Sequence, residues 1–174
     1  MTILERGVSM ILIELYWEGP FTFEEVKRLG NEATDYGVYQ IYGNHITYGS
    51  DVLLYIGQAN NQTFKTRLGQ HNDRYLVMND SAHTRIYIGR LGGENQITYD
   101  KWFEQIHLAE RLLINVHKPA FNSQFVTDRY IGELDTVHLL NWGNRRHLLP
   151  EISSLRWGSK PMNKRGDRFY VYED

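Results

Sequence analysis

The sequence predicts an α/β chain of the α+β kind, on three observations. Glycine-bounded runs of β-branched and aromatic residues read as strands joined by turns, one long segment has the period of an amphipathic helix, and 41% hydrophobic content in 174 residues suffices for one compact core.

In chain order, Met10 to Tyr16 reads as a first strand. Thr22 then stands as an N-cap, with Glu25 completing a Thr-x-x-Glu capping box and Phe21 with Val26 forming a hydrophobic staple, so a helix is predicted to open there and stop near Gly30. Gly37 to Tyr42 and Val52 to Gly57 are aromatic and β-branched, with Gly43-Asn44 and Gly49-Ser50 punctuating the link between them. Two antiparallel strands with an elaborated turn are expected. A short helix follows around Thr63 to His71, and a third strand runs from Thr84 to Arg90. Beyond the longest helix, strands are predicted at Thr136 to Trp142 and Phe169 to Tyr172, with a short helix opening at Pro150.

That longest helix spans Tyr99 to His117. At 100° steps from Trp102, the residues Phe103, Ile106, Ala109, Leu112, Leu113, Ile114 and Val116 fill an arc from about −80° to about 120°. Glu110 falls inside the arc, at about 80°, whereas Glu104, Arg111 and Asn115 lie opposite. A carboxylate in an apolar stripe needs a proton or a cation. A structural ion pair, a place at the stripe's edge, and metal or catalytic work all satisfy that requirement.

The chain has no cysteine, so a disulfide framework and a thiolate zinc site are excluded. Ile11-Leu12-Ile13 is cut short by Glu14 and Glu18, which rules out a membrane-spanning helix there and leads to the expectation of a cytoplasmic protein with no membrane partner. A net charge of −2 argues against coating nucleic acid through bulk charge. Locally the balance reverses. From Leu140 to Arg168 there are seven basic residues against Glu151 and Asp167, while the remainder holds twelve basic and nineteen acidic residues.

Several side chains could carry chemistry. Arg67 and His71 are four apart and share a helix face, a good anion site. Tyr39 and Tyr55 sit on strands, and Asn122 follows Pro119 in a turn. His107 and Glu110 have an i, i+3 metal-ligand spacing without a second such motif, and there is no phosphate-binding glycine loop. In order, Gly37-Val38-Tyr39, Tyr55-Ile56-Gly57, Arg67 with His71, Glu110 and Asn122 resemble the catalytic set of the GIY-YIG nuclease family. The resemblance covers Tyr36 to Asn122, with restriction-type members, which carry an Arg-x-x-x-His pair, as the nearest comparison. The span from Gln40 to Leu54 is longer than is usual between the two motifs, and Gln58-Ala59 replaces a lysine, serine or threonine found in many members.

The resemblance implies a small central three-stranded antiparallel sheet flanked by helices at residues 36–125, which leaves an N-terminal strand-helix addition at 1–35 and a basic C-terminal extension at 126–174 packed on or beside that core. It implies a DNA endonuclease that uses one divalent cation, Mg²⁺ with Mn²⁺ as a substitute, and leaves 5′-phosphate and 3′-hydroxyl ends. In that reading Glu110 holds the metal, Tyr39 takes a proton from water and passes its own to His71, Arg67 and Tyr55 bind the scissile phosphate, and Asn122 orients the metal shell or a phosphate oxygen. Arg145, Arg146, Lys160, Lys164 and Arg165 are expected to contact flanking phosphates. Palindromic double-strand cleavage would make a two-fold homodimer the natural geometry. The alternative expectation is an inactive GIY-YIG-like domain that binds DNA or a protein.

Overall fold

The structure, a computed structural model, describes residues 10–75, 83–92, 99–126, 134 and 136–153, with the side chains of 71–75 and 99–101 outside the description. The predicted strand at Phe169 to Tyr172 and the residues Lys160, Lys164 and Arg165 lie outside it as well.

The first strand, β1 (Ile11–Phe21), buries Ile13, Leu15 and Trp17 and turns the alternate residues outward. Helix α1 (Phe23–Val26) opens on the predicted capping box: Thr22 Oγ1 accepts from the Glu25 N–H and Glu25 Oε2 accepts from the Thr22 N–H at 2.7 Å. It ends well before Gly30: the Arg28 and Leu29 N–H groups close tighter turns on the Glu25 and Val26 carbonyls, and the Leu29 carbonyl accepts from the Lys65 N–H of α2 (Phe64–Tyr75) at 2.9 Å. Strands β2 (Gly37–His45) and β3 (Gly49–Ala59) form the expected antiparallel hairpin, and β4 (Arg85–Leu91) pairs antiparallel with β2. Helix α3 covers Tyr99–His117, as the periodicity predicts. Strands β5 (Val137–Gly143) and β6 (Glu151–Ser153) complete the described elements.

The predicted three-stranded antiparallel sheet is corrected to a six-stranded mixed sheet of order β3-β2-β4-β1-β5-β6, in which β5 runs parallel to β1. The physical reason is that β1 and β5 each carry buried alternating apolar residues, Ile13-Leu15-Trp17 and Val137-Leu139, that extend the central strands' apolar surface. One sheet therefore runs through all three segments that the sequence divides. The helix predicted at Pro150 is corrected to β6. The Pro150 carbonyl accepts from the Asn141 N–H at 2.8 Å, which starts Glu151–Ser153 along β5, and a proline at the head of an edge strand sacrifices no ladder bond.

The core has two parts, one on each face. Helix α3 packs Ile106, Ala109, Leu112 and Leu113 against Val38, Ile56 and the rows of β1 and β5. On the other face α1 and α2 bury Val26, Phe64 and Leu68 against Tyr39, Ile41, Ile86 and Ile88. Among the described residues no helix is long and apolar enough to cross a membrane.

Candidate active site at the open edge of β3

The pairing of β2 with β3 sets Tyr39 opposite Gly57 and Ile41 opposite Tyr55. With no side chain at Gly57, the Tyr39 ring lies over that backbone: a Cβ there would come within 2.4 Å of the Tyr39 hydroxyl oxygen and 2.7 Å of Tyr55 Cε1. The two phenol rings are 6.1 Å apart, tilted by 34°. Gly37 has a different reason to be glycine. Its φ is +149°, and a Cβ would stand 2.0 Å from the Gly89 carbonyl oxygen of β4. The glycines of the two motifs are thus accounted for by a phenol and by a neighbouring strand.

Arg67, at the close of the first turn of α2, reaches the same spot. Its guanidinium lies beside the Tyr39 phenol, and Tyr39 is fully buried. Burial pushes the Tyr39 phenol well above its ordinary range, the neighbouring Tyr55 adds to the rise, and Arg67 opposes it. Arg67 Nε is buried without a hydrogen-bond partner among the described residues. His71 lies one turn further along α2, with its side chain outside the description.

Glu110 approaches from the other side of the sheet. β3 is an edge strand, so alternate N–H and C=O groups point away from β2, and the chain covers them one after another. The Phe121 N–H donates to the Leu54 carbonyl at 2.8 Å. Asn122 Oδ1 accepts from the Ile56 N–H at 3.0 Å while its Nδ2 donates to the Ile56 carbonyl at 2.9 Å. The Glu110 carboxylate accepts from the Gln58 N–H. Glu110 is 7% exposed, and burial raises its pKa to about 7, against the opposing pull of Arg67 and the Gln58 N–H. The apolar-arc position read from the sequence is a buried carboxyl facing a guanidinium.

The structure therefore brings Tyr39, Tyr55, Arg67 and Glu110 to one end of the β2–β3 pair. Asn122 belongs to the same edge, but both ends of its amide are held by Ile56, so it fixes the strand that carries Tyr55 and Gly57. The sequence marks Gln58 only as a departure from the family's pattern, with no role at the site. Its part is played by a backbone N–H, which leaves no side-chain signal, while its side chain bridges His107 Nδ1 at 3.2 Å and Asn60 Nδ2 at 2.8 Å. Arg145 and Arg146 lie apart from this cluster. Arg145 donates to the Leu148 carbonyl at 2.7 Å, and Arg146 pairs with Asp51 at 2.6 Å with its guanidinium 5.0 Å from the Tyr42 ring centroid.

As a metal site the donor set is one carboxylate. Among the described residues no group of three or more His, Asp and Glu side chains comes together. One carboxylate fits a Mg²⁺ ion that keeps most of its waters, and a closed zinc site is not formed by the described residues. Compared with protein-family models, curated proteins and solved structures, the chain matches none.

Proposed function

We propose that the protein is a metal-dependent DNA endonuclease hydrolysing phosphodiester bonds to 5′-phosphate and 3′-hydroxyl ends. The observation that carries this reading is the convergence of a buried carboxyl, a guanidinium with an unpartnered Nε and two phenols over one glycine. Phosphodiester hydrolysis needs donors for the extra negative charge of the transition state, an activated water and a Lewis acid. A divalent cation at Glu110 would supply the Lewis acid.

Arg67 turns its planar fork to the scissile phosphate, with Tyr55 beside it as a second donor. Burial keeps the Tyr39 phenol protonated, so it takes a proton from the attacking water only as its own passes on, the step that the resemblance gives to His71. Asn122 and the Gln58 N–H hold the strand and the carboxylate in register.

The test is incubation of supercoiled plasmid with the protein in Mg²⁺, in Mn²⁺ and in EDTA, beside the Glu110→Gln variant. Nicked or linear product only with metal and only with Glu110 is expected; identical product from the variant would refute the metal assignment. The complete burial of Tyr39 favours a second reading, a domain that binds duplex without cutting it. Duplex affinity with no product in either metal would select that reading.

A further inference from the structure

The hairpin that carries both motif tyrosines continues past the sheet and ends in a bare apolar tip. Between β2 and β3 stand Ile46, Thr47 and Tyr48, with Ile46 101% and Tyr48 67% exposed. Turn positions ordinarily take small polar residues and glycine, so two large apolar side chains at one apex call for a partner. The tip stands clear of the rest of the molecule, since a Cβ on Gly49, where φ is +92°, would meet nothing within 4 Å.

It is also held in one shape. His45 Nδ1 accepts from the N–H groups of both Thr47 and Tyr48, at 3.1 and 3.2 Å, and the His45 ring stacks on Tyr48 at 4.5 Å. Behind the tip the His45 ring lies 5.2 Å from Phe121, and Asp51 on the returning strand is tied to Arg146. A rigid apex loses little freedom on binding, which is how a preorganised contact gains affinity.

We propose that this hairpin tip is an apolar prong that enters a groove of the duplex held at the site described above. The inference rests on that reading of the site. From Tyr39 to His45 the strand advances by at most roughly 20 Å at ~3.3 Å per residue, so a duplex lying along β2 with a phosphate at Arg67 would meet the tip within about six base pairs. No residue from Gly43 to Ser50 is acidic, so nothing on the tip repels phosphates. Aliphatic side chains seated against base steps are a recurring mode of groove binding, and Ile46 with Tyr48 supplies one aliphatic and one aromatic surface.

The test measures affinity of the full chain for a random-sequence duplex in Ca²⁺ across a salt series, comparing wild type with Ile46→Ser, Tyr48→Ser and the double variant. Because both side chains are exposed, thermal unfolding should be unchanged in Ile46→Ser and change little in the variants that lose Tyr48, whose ring, among the described residues, stacks only on His45 at the tip. The double variant is expected to bind roughly tenfold more weakly with the same log–log salt slope, because an apolar contact releases no counterions. Unchanged affinity in the double variant, with wild-type binding intact, overturns the prong alone. No duplex binding by wild type overturns the prong together with the reading of the site, and a flattened slope overturns the apolar nature of the contact.

Discussion

Glu110 gains a proton preference on folding, and the sign of its effect on stability follows. Its carboxyl titrates near 7 in the fold against an ordinary 4.5, so the folded state binds protons more tightly than the unfolded chain. The associated stability is fully present below pH 4.5, declines between 4.5 and 7, and is gone above; at 1.36 kcal/mol per pKa unit the loss is about 3 kcal/mol. In metal-free protein, Glu110→Gln is therefore expected to match wild type at pH 4.5 and to be the more stable by up to about 3 kcal/mol at pH 8, read from urea midpoints. Added Mg²⁺ should then stabilise wild type and leave the glutamine variant unmoved. A variant less stable than wild type at pH 8 without metal would mean the carboxylate is stabilised by Arg67 instead. Tyr39 and Tyr42 provide a matched pair. Both are fully buried, the Tyr39 phenol beside Arg67 and the Tyr42 hydroxyl donating to Gln40 Oε1 at 3.0 Å, but they lie on opposite faces. Removing the Tyr42 hydroxyl should cost about 1–2 kcal/mol of stability and leave cleavage unchanged, while Tyr39→Phe should slow cleavage by roughly 10²–10⁴-fold. Equal slowing by the two would remove Tyr39 from the reaction.

The behaviour of β3 as an element depends on how its open edge is closed. Asn122 imitates a strand neighbour, giving Ile56 both a donor and an acceptor, and Asn122→Ala leaves those two backbone groups to solvent. A loss of about 1–3 kcal/mol is expected, with faster hydrogen exchange at the Ile56 amide and an unchanged Mg²⁺ midpoint for residual cleavage. A weakened Mg²⁺ midpoint with slow Ile56 exchange would return Asn122 to the metal shell. Single elements of this kind were largely legible in the sequence. Periodicity placed α3 from Tyr99 to His117, and Thr22 with Glu25 announced α1, because both signals are local. Partnership was not legible. Alternation in β1 and β5 marks two half-buried strands, but nothing local says that they run parallel and adjacent, and the resemblance ends at Asn122, before β5 begins. Pro150 read as a helix opening because helix N1 and an edge-strand start both tolerate a missing N–H. The site was legible as a set of residues, and its geometry was not. The charge count from Leu140 onward could not reveal that Arg146 is already held by Asp51 and two tyrosine rings.

For the whole molecule, the sheet order decides whether the motif-bearing segment can stand alone. β1 has β4 on one side and β5 on the other, so a chain lacking everything after Val126 would expose one edge of β1 from Ile11 to Trp17. It would also lose Leu134, Val137, Leu139, Leu148 and Ile152, all 2% exposed or less, and the bond from Trp17 Nε1 to Asn141 Oδ1 at 2.8 Å. At about 1.5–3 kcal/mol for each buried aliphatic side chain, those five contribute roughly 7–15 kcal/mol, as much as the whole net stability of an ordinary domain. Residues 1–126 expressed alone are therefore expected to show no cooperative thermal transition and no native near-ultraviolet circular dichroism, whereas the full chain shows both. The milder substitution Leu139→Asp, which puts a charge into the same core without shortening the chain, should lower stability by several kcal/mol and take duplex binding down with it. A cooperative transition from residues 1–126 would restore the division into a self-sufficient central unit with additions. Its absence would mean that the motif tyrosines reach their geometry only inside the complete six-stranded sheet, with the C-terminal strands acting on the site through β1, β4 and β2 in turn.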